Sequence, residues 1–186
     1  MIEHLETKWT FGPDPVDPQA SDIALEAGTS ELTAQGMLSA SWAMVEAFTG
    51  KTYRDTTAGQ AILKVSAPMV WTWPRYPFPE ELTFEAYAQG SWVEHPETYI
   101  PSAGLIELEP FTLYRIGHTT TTPGATVTPA VEQAVYNLTL YQLLQSPARR
   151  EFKSQAAGDS SLTRETLMPV FYGSGAGAML AGEMRL

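Results

Sequence analysis

The sequence predicts an α+β fold in which helical segments flank a short antiparallel β-region. Three observations predict it. Apolar residues recur at three- and four-residue steps from Ala34 to Phe48 and again from Val131 to Tyr141. Between them, from Ala61 to Ile116, apolar and polar residues alternate over brief runs broken by Pro and Gly. Apolar residues make up 44% of the 186-residue chain against 17% charged, a balance that lets a chain bury a core. This length suits one domain over 1–186.

Residues 1–20 are expected to form an extended arm, because Gly12, Pro13, Pro15 and Pro18 exclude a helix there. Residues 21–50 are expected to be helical. Ala34, Met37, Leu38, Ser41, Trp42, Val45 and Phe48 fall on one stripe, and Gly50 supplies a C-cap. Residues 61–118 read as β-rich. Met69, Trp71 and Trp73 share one parity, Leu82, Phe84 and Ala86 oppose Glu81, Thr83 and Glu85, and Ile106 and Leu108 alternate with Glu107 and Glu109 before Pro110 interrupts.

A polar linker of threonines with Pro123 and Gly124 leads to Thr128-Pro129, an N-cap followed by proline at the first helical position. The helix expected over 128–146 carries Val131, Ala134, Val135, Leu138 and Tyr141 on one face and stops before Pro147. Residues 147–186 form an extension with a turn at Gly158-Asp159, then Met168-Pro169, then a last helix candidate from Ala176 to Met184. No internal repeat is present.

The formal net charge of −10 and a pI near 4.7 argue against a nucleic-acid binder, which needs clustered Lys and Arg to neutralise phosphates. No Lys or Arg lies between Arg75 and Arg115, while Glu80, Glu81, Glu85, Glu94, Glu97, Glu107 and Glu109 all do. There is no cysteine, so disulfides, thiolate metal sites and a Cys nucleophile are excluded. The N-terminus lacks the blocks of a signal peptide and no apolar run reaches membrane-spanning length, so a soluble chain without membrane contact is expected.

Candidate chemistry is sparse. His4, His95 and His118 are widely spaced and have no partner at metal-ligand spacing, and neither metal nor cofactor is expected. Gly173-Ser174-Gly175-Ala176-Gly177 lacks the lysine of a phosphate loop, and Ser174 lacks the flanking pattern of a nucleophile elbow. Glu80-Glu81 and Glu107-Glu109 are pairs that 21 acidic residues produce by chance.

Two clusters remain. Trp71, Trp73, Tyr76 and Phe78, interleaved with prolines, fit core or subunit-interface packing, or alternatively a carbohydrate- or peptide-binding platform. Arg149, Arg150 and Lys153 form the one basic knot, suited to an acidic neighbour or to a solvated helix end.

The order of segments from about residue 30 onward resembles the head-tail connector or adaptor proteins of long-tailed phages and gene transfer agents. Four motifs carry the resemblance. The first is the helix Ala40-Ser41-Trp42-Ala43-Met44-Val45-Glu46-Ala47-Phe48-Thr49-Gly50-Lys51. The second is the strand region with Trp73-Pro74 and Pro79 leading to Leu113-Tyr114-Arg115-Ile116-Gly117. The third is the proline-started helix at Thr128-Pro129-Ala130-Val131-Glu132-Gln133-Ala134-Val135. The last is the closing order Lys153-Ser154-Gln155, Gly158-Asp159-Ser160, Met168-Pro169 and Ala178-Met179-Leu180 with Arg185.

The chain departs from that family in its long proline-rich arm and in Gly175, Gly177 and Gly182 of the last helix. Each of those glycines lowers helicity by roughly 1 kcal/mol, so that helix is expected to order on docking.

The resemblance implies a mainly α protein: a small helical bundle with an inserted antiparallel β-region and a C-terminal docking helix. It implies a non-enzymatic structural role in a virion or phage-like particle assembled in the host cytoplasm. There the chain would form a homo-oligomeric ring of twelve copies between the portal protein and a tail-side stopper, with DNA passing through its lumen without specific binding. On this reading Ala178, Met179, Leu180, Met184, Arg185 and Leu186 face the portal. Trp71, Trp73, Tyr76, Phe78, Arg149, Arg150 and Lys153 are then subunit-interface or partner residues.

Overall fold

The strand and helix patterns resolve into more β-structure than the sequence predicts. The computed structural model describes residues 2–110, 112–145, 154–155, 162–163 and 170–184. Its elements run β1 (Ile2–Phe11), α1 (Ala20–Ala27), α2 (Glu31–Thr49), β2 (Thr56–Val65), β3 (Met69–Thr72), β4 (Thr83–Ala88), β5 (Ser91–Glu94), β6 (Tyr99–Ile100), β7 (Leu105–Leu108), β8 (Thr112–His118), α3 (Pro129–Leu144), β9 (Ser154–Gln155), β10 (Leu162–Thr163), α4 (Val170–Gly173) and α5 (Ala176–Leu180).

The expectation of a mainly α chain is therefore corrected: among the described residues helices and strands are present in nearly equal measure. Two antiparallel sheets hold eight of the strands, in the orders β1-β2-β8-β4-β5 and β3-β7-β6, and β9 pairs with β10 in a separate two-residue ribbon.

Much of the difference comes from β1 and from the start of β2. The pairing of β1 with β2 shifts register between His4 and Glu6, and a bulge there breaks the period-two pattern a strand needs to be recognised. Ile2 and His4 stand opposite the core residues Val65 and Leu63 before the bulge, whereas Thr7 and Trp9 stand opposite Ala61 and Gly59 after it. The inward set changes parity, so the segment reads as an irregular arm. In β2, the polar run Thr56-Thr57-Ala58-Gly59-Gln60 hides the first half of a ten-residue strand.

The chain divides into two compact units, Met1–Pro13 with Lys51–Thr126, and Asp14–Gly50 with Val127–Leu186. The first, the sheet unit, contains both large sheets. Its core joins Ala61, Leu63 and Val65 of β2, Phe84 of β4, and Tyr114 and Ile116 of β8 to Trp71, Trp73, Ile106 and Leu108 on the three-stranded side. Alternation does the sorting: Tyr114 and Ile116 point into this core, and Arg115 between them points away.

The second, the helical unit, packs α1, α2, α3 and α5 around Ile23, Leu38, Trp42, Val45, Val131, Leu138 and Leu180. Its helix ends follow the sequence signals. Ser30 caps α2 by accepting from the Thr33 amide, and Gly50 closes it in the left-handed conformation at φ 70°. Thr128 accepts from the Val131 amide, with Pro129 in the first turn of α3. Gln142 Nε2 donates to Ser41 Oγ at 2.9 Å, which ties α3 to α2. The last helix is shorter than predicted: Gly175, at φ 76°, separates α4 from α5, and α5 ends at Leu180.

Candidate functional site

The Trp71 to Phe78 cluster is split by the fold. Trp71 and Trp73 are 7% and 1% exposed and meet edge to face at 5.9 Å inside the sheet-unit core. Trp9 and His118 pack edge-on against Trp73, at 5.2 and 5.8 Å. These indoles have no open face on which a sugar or a peptide proline could stack. Tyr76 is exposed and Phe78 half-buried, and they contact each other edge to face at 5.4 Å. Phe78 lies over Gly104, where an added Cβ would stand 2.3 Å from its ring.

The face of the five-stranded sheet turned away from the core carries polar chemistry. Arg115 and Glu85 are direct cross-strand partners on β8 and β4. Arg115 donates through Nε to Glu85 Oε2 and through Nη2 to Oε1, the latter at 2.7 Å. Its guanidinium also stacks over Trp92 at 4.7 Å, and Trp92 meets Tyr87 edge to face at 5.3 Å. The paired hydrogen bonds hold the Glu85 carboxyl below its ordinary range and the Arg115 guanidinium above its own. Beside the pair lies an open dish of about 390 Å³, bordered by Lys8, Gln60, Thr83 and Gly117.

A second groove, of about 730 Å³, is lined by Glu80, Glu81, Glu94, Glu97 and Tyr99. Glu97 is its one well-buried acid. The Tyr114 hydroxyl donates to Glu97 Oε1 at 2.5 Å, and His95 Nδ1 lies 3.0 Å from the same oxygen. Tyr99 donates to the Pro79 carbonyl at 2.6 Å, and burial pushes its phenol up to about 12. Among the described residues no group of His, Asp and Glu is placed to hold a metal ion. His118 is committed through Nδ1 to the Thr120 carbonyl at 2.9 Å, and His4 lies against Trp71.

In the helical unit, Ser174 sits in the turn between α4 and α5. Its hydroxyl donates to the Phe171 carbonyl and accepts from the Ala176 amide, which is turn chemistry rather than an activated nucleophile. Leu180 is fully buried with Ala176 in the helical core, where α5 packs on α3, whereas Ala178, Met179 and Met184 are exposed. Arg149, Arg150, Lys153, Arg185 and Leu186 lie outside the described residues. Among the described residues no helix is long and apolar enough to cross a membrane.

The helical unit also presents features that the sequence reading passed over. Leu25 and Leu32 are each 85% exposed and Val16 is 78% exposed. The signal was there in principle: Leu25 lies off the buried stripe of Ala20, Ile23, Ala24 and Ala27, and Leu32 off that of Ala34 and Leu38.

No protein-family model matches the chain, and no curated protein is significantly similar to it. Among solved structures it is similar to one described as the neck of an empty GTA particle computed with C6 symmetry. The TM-score is 0.60 at 14% sequence identity, over 98% of this chain and 96% of that one. The two share a fold along nearly their whole lengths.

Proposed function

We propose that this chain is a non-enzymatic structural adaptor in the neck of a tailed-phage or gene-transfer-agent particle. One observation carries the reading: the fold likeness to a chain of a particle neck runs almost end to end in both directions. The four ordered sequence motifs point the same way independently.

In this reading twelve copies close into a ring between the portal and a tail-side stopper. Six-fold symmetry, as in the similar neck, is contained in rings of six and of twelve alike. The exposed Ala178, Met179 and Met184, with Arg185 and Leu186, face the portal, while Leu180 anchors α5 to its own chain. Arg149, Arg150 and Lys153 meet an acidic neighbour, and the sheet unit serves the stopper side. The net charge of −10 lets duplex DNA pass the lumen without sticking.

Native mass measurement of the chain assembled with its portal tests the reading. The expected species contains a ring of twelve times the 20.4 kDa chain mass. A chain that stays single beside the portal and is missing from purified particles overturns it. So does turnover of a small molecule by the isolated polypeptide at a defined cleft.

A further inference from the structure

This inference rests on the proposed ring and names the acidic neighbour that its basic residues meet. Glu97 lines the groove of about 730 Å³ in the sheet unit, and its side chain is only 8% exposed. Both of its partners reach the same oxygen: the Tyr114 hydroxyl donates to Oε1 at 2.5 Å, and His95 Nδ1 lies 3.0 Å from it. Among the described residues nothing donates to Oε2, and that atom is not sealed in, so it is what Glu97 offers to the groove. A largely buried carboxylate with one oxygen unanswered costs free energy until a donor reaches it.

The groove cannot supply that donor itself. Its hydroxyls are committed, Tyr99 to the Pro79 carbonyl and Thr83 to the Gly117 carbonyl. No Lys or Arg lines it, Glu80, Glu81 and Glu94 stand exposed around it, and Glu85 is already taken by Arg115. The missing donor therefore comes from outside the groove, and the surrounding carboxylates select a cation. Among the described residues no donor set is placed to hold a metal ion, so the cation that fits is a side chain, and a guanidinium matches a carboxylate best.

One segment of the chain has that chemistry in concentrated form. Of the eleven Lys and Arg, three fall within five residues at Arg149, Arg150 and Lys153, and nowhere else do more than two lie so close. Arg54 and Arg75, by contrast, lie over aromatic rings of their own unit.

We infer that the Arg149-Arg150-Glu151-Phe152-Lys153 segment of one copy docks in the Glu97 groove of the next. A guanidinium answers Glu97 Oε2, and Glu80, Glu81 and Glu94 face the remaining cations. Two unlike patches meet in such a contact, which is the head-to-tail kind that closes into rings.

Two charge-reversed full-length chains test it, under conditions in which wild type assembles. Arg149→Glu/Arg150→Glu sets carboxylates against carboxylates, and Glu80→Lys/Glu81→Lys sets cations against cations. Each alone should associate about a hundredfold more weakly than wild type. Mixed one to one they should reassemble, because in an alternating ring every groove again meets the opposite charge. Glu80 and Glu81 are exposed, so their double variant should keep the wild-type circular dichroism and urea midpoint. Association unchanged by either reversal, or no recovery on mixing, overturns the contact. A segment serving its own chain's groove would give that second result, with recovery only when all four substitutions share one chain.

A second measurement uses wild type and depends on no variant folding. Unlabelled and 15N-labelled chains are assembled together and treated with a carbodiimide, which joins an amine to a carboxylate in contact with it. Mixed-isotope links from Lys153 should map to Glu80, Glu81 or Glu94. Mixed links from Lys153 to other sites only, links within one chain only, or none from an intact ring overturn the contact and leave the ring reading standing. A wild-type chain that remains at 20.4 kDa in both experiments removes the ring and the contact together.

Discussion

Arg115 holds Glu85 through two parallel hydrogen bonds across the β8–β4 ladder, and the same guanidinium lies over Trp92 on the neighbouring hairpin strand. One cation thus links three strands on the solvent side of the sheet, opposite the core residues Tyr114 and Ile116 that flank it in sequence. The pair fixes β4 and β8 in register, since a one-residue slip would carry one partner to the other face.

Replacing Glu85 by Gln should show how much that pair contributes. Its carboxyl is held below the ordinary value by Arg115, so its contribution is present above the unfolded-state pKa. It is lost as pH falls through the depressed folded-state value. Both side chains are about a third exposed, and solvent screening keeps the effect under about 1 kcal/mol. Urea midpoints for wild type and Glu85→Gln should differ at neutral pH and converge once the pH has fallen below the depressed folded-state pKa of Glu85, where the carboxyl is protonated in both states. A gap that persists in acid would show that the loss is steric rather than ionic.

Local chemistry was legible in the sequence, and long-range pairing was not. Gly50 and Thr128-Pro129 mark helix ends because capping is decided within a few residues, and the structure places the ends there. β1 was missed because its strand character depends on partners some fifty residues away and its bulge scrambles the alternation. The burial of Trp71 and Trp73 is likewise a tertiary fact: an aromatic-proline run looks the same in sequence whether its rings meet solvent or β7. Leu25 and Leu32 were passed over because periodicity identifies residues that match a stripe, and these two lie off it.

Gly59→Ala and Gly36→Ala should move stability in opposite directions. A Cβ at Gly59 would lie 2.4 Å from the Trp9 ring and 2.8 Å from His118 Nε2, so β1 or the His118 side chain must shift. The expected loss is about 1–3 kcal/mol, typical of overpacking. Gly36 sits in α2 with nothing within 4 Å of its added Cβ, and Ala there should gain about 1 kcal/mol through helix propensity. Urea denaturation of both variants checks the pair, and a neutral Gly59→Ala would mean that the β1–β2 contact yields freely.

Trp73→Ala should cost about 3–5 kcal/mol, because it empties a large site in the sheet-unit core. Tyr76→Ala, three residues on and exposed, should cost under about 1 kcal/mol. Thermal melts would separate the two. A Trp73→Ala chain of near wild-type stability that lost binding to a glycan panel would restore the ligand-platform reading of this cluster.

Leu180 and Met184 make the sharpest contrast in the C-terminal segment, because both were expected to face the portal and the fold treats them oppositely. Leu180 is fully buried, in α5 where it packs on α3, while Met184 lies exposed beyond the end of α5. Leu180→Ala should therefore destabilise the isolated chain by about 2–5 kcal/mol, before any partner is present. Met184→Ala should leave the urea midpoint within about 0.5 kcal/mol of wild type and show its effect only in portal binding, measured by co-sedimentation. If Leu180→Ala left the free chain intact while Met184→Ala unfolded it, the packing of α5 described above would be wrong, and with it the assignment of Met184 rather than Leu180 to the portal side.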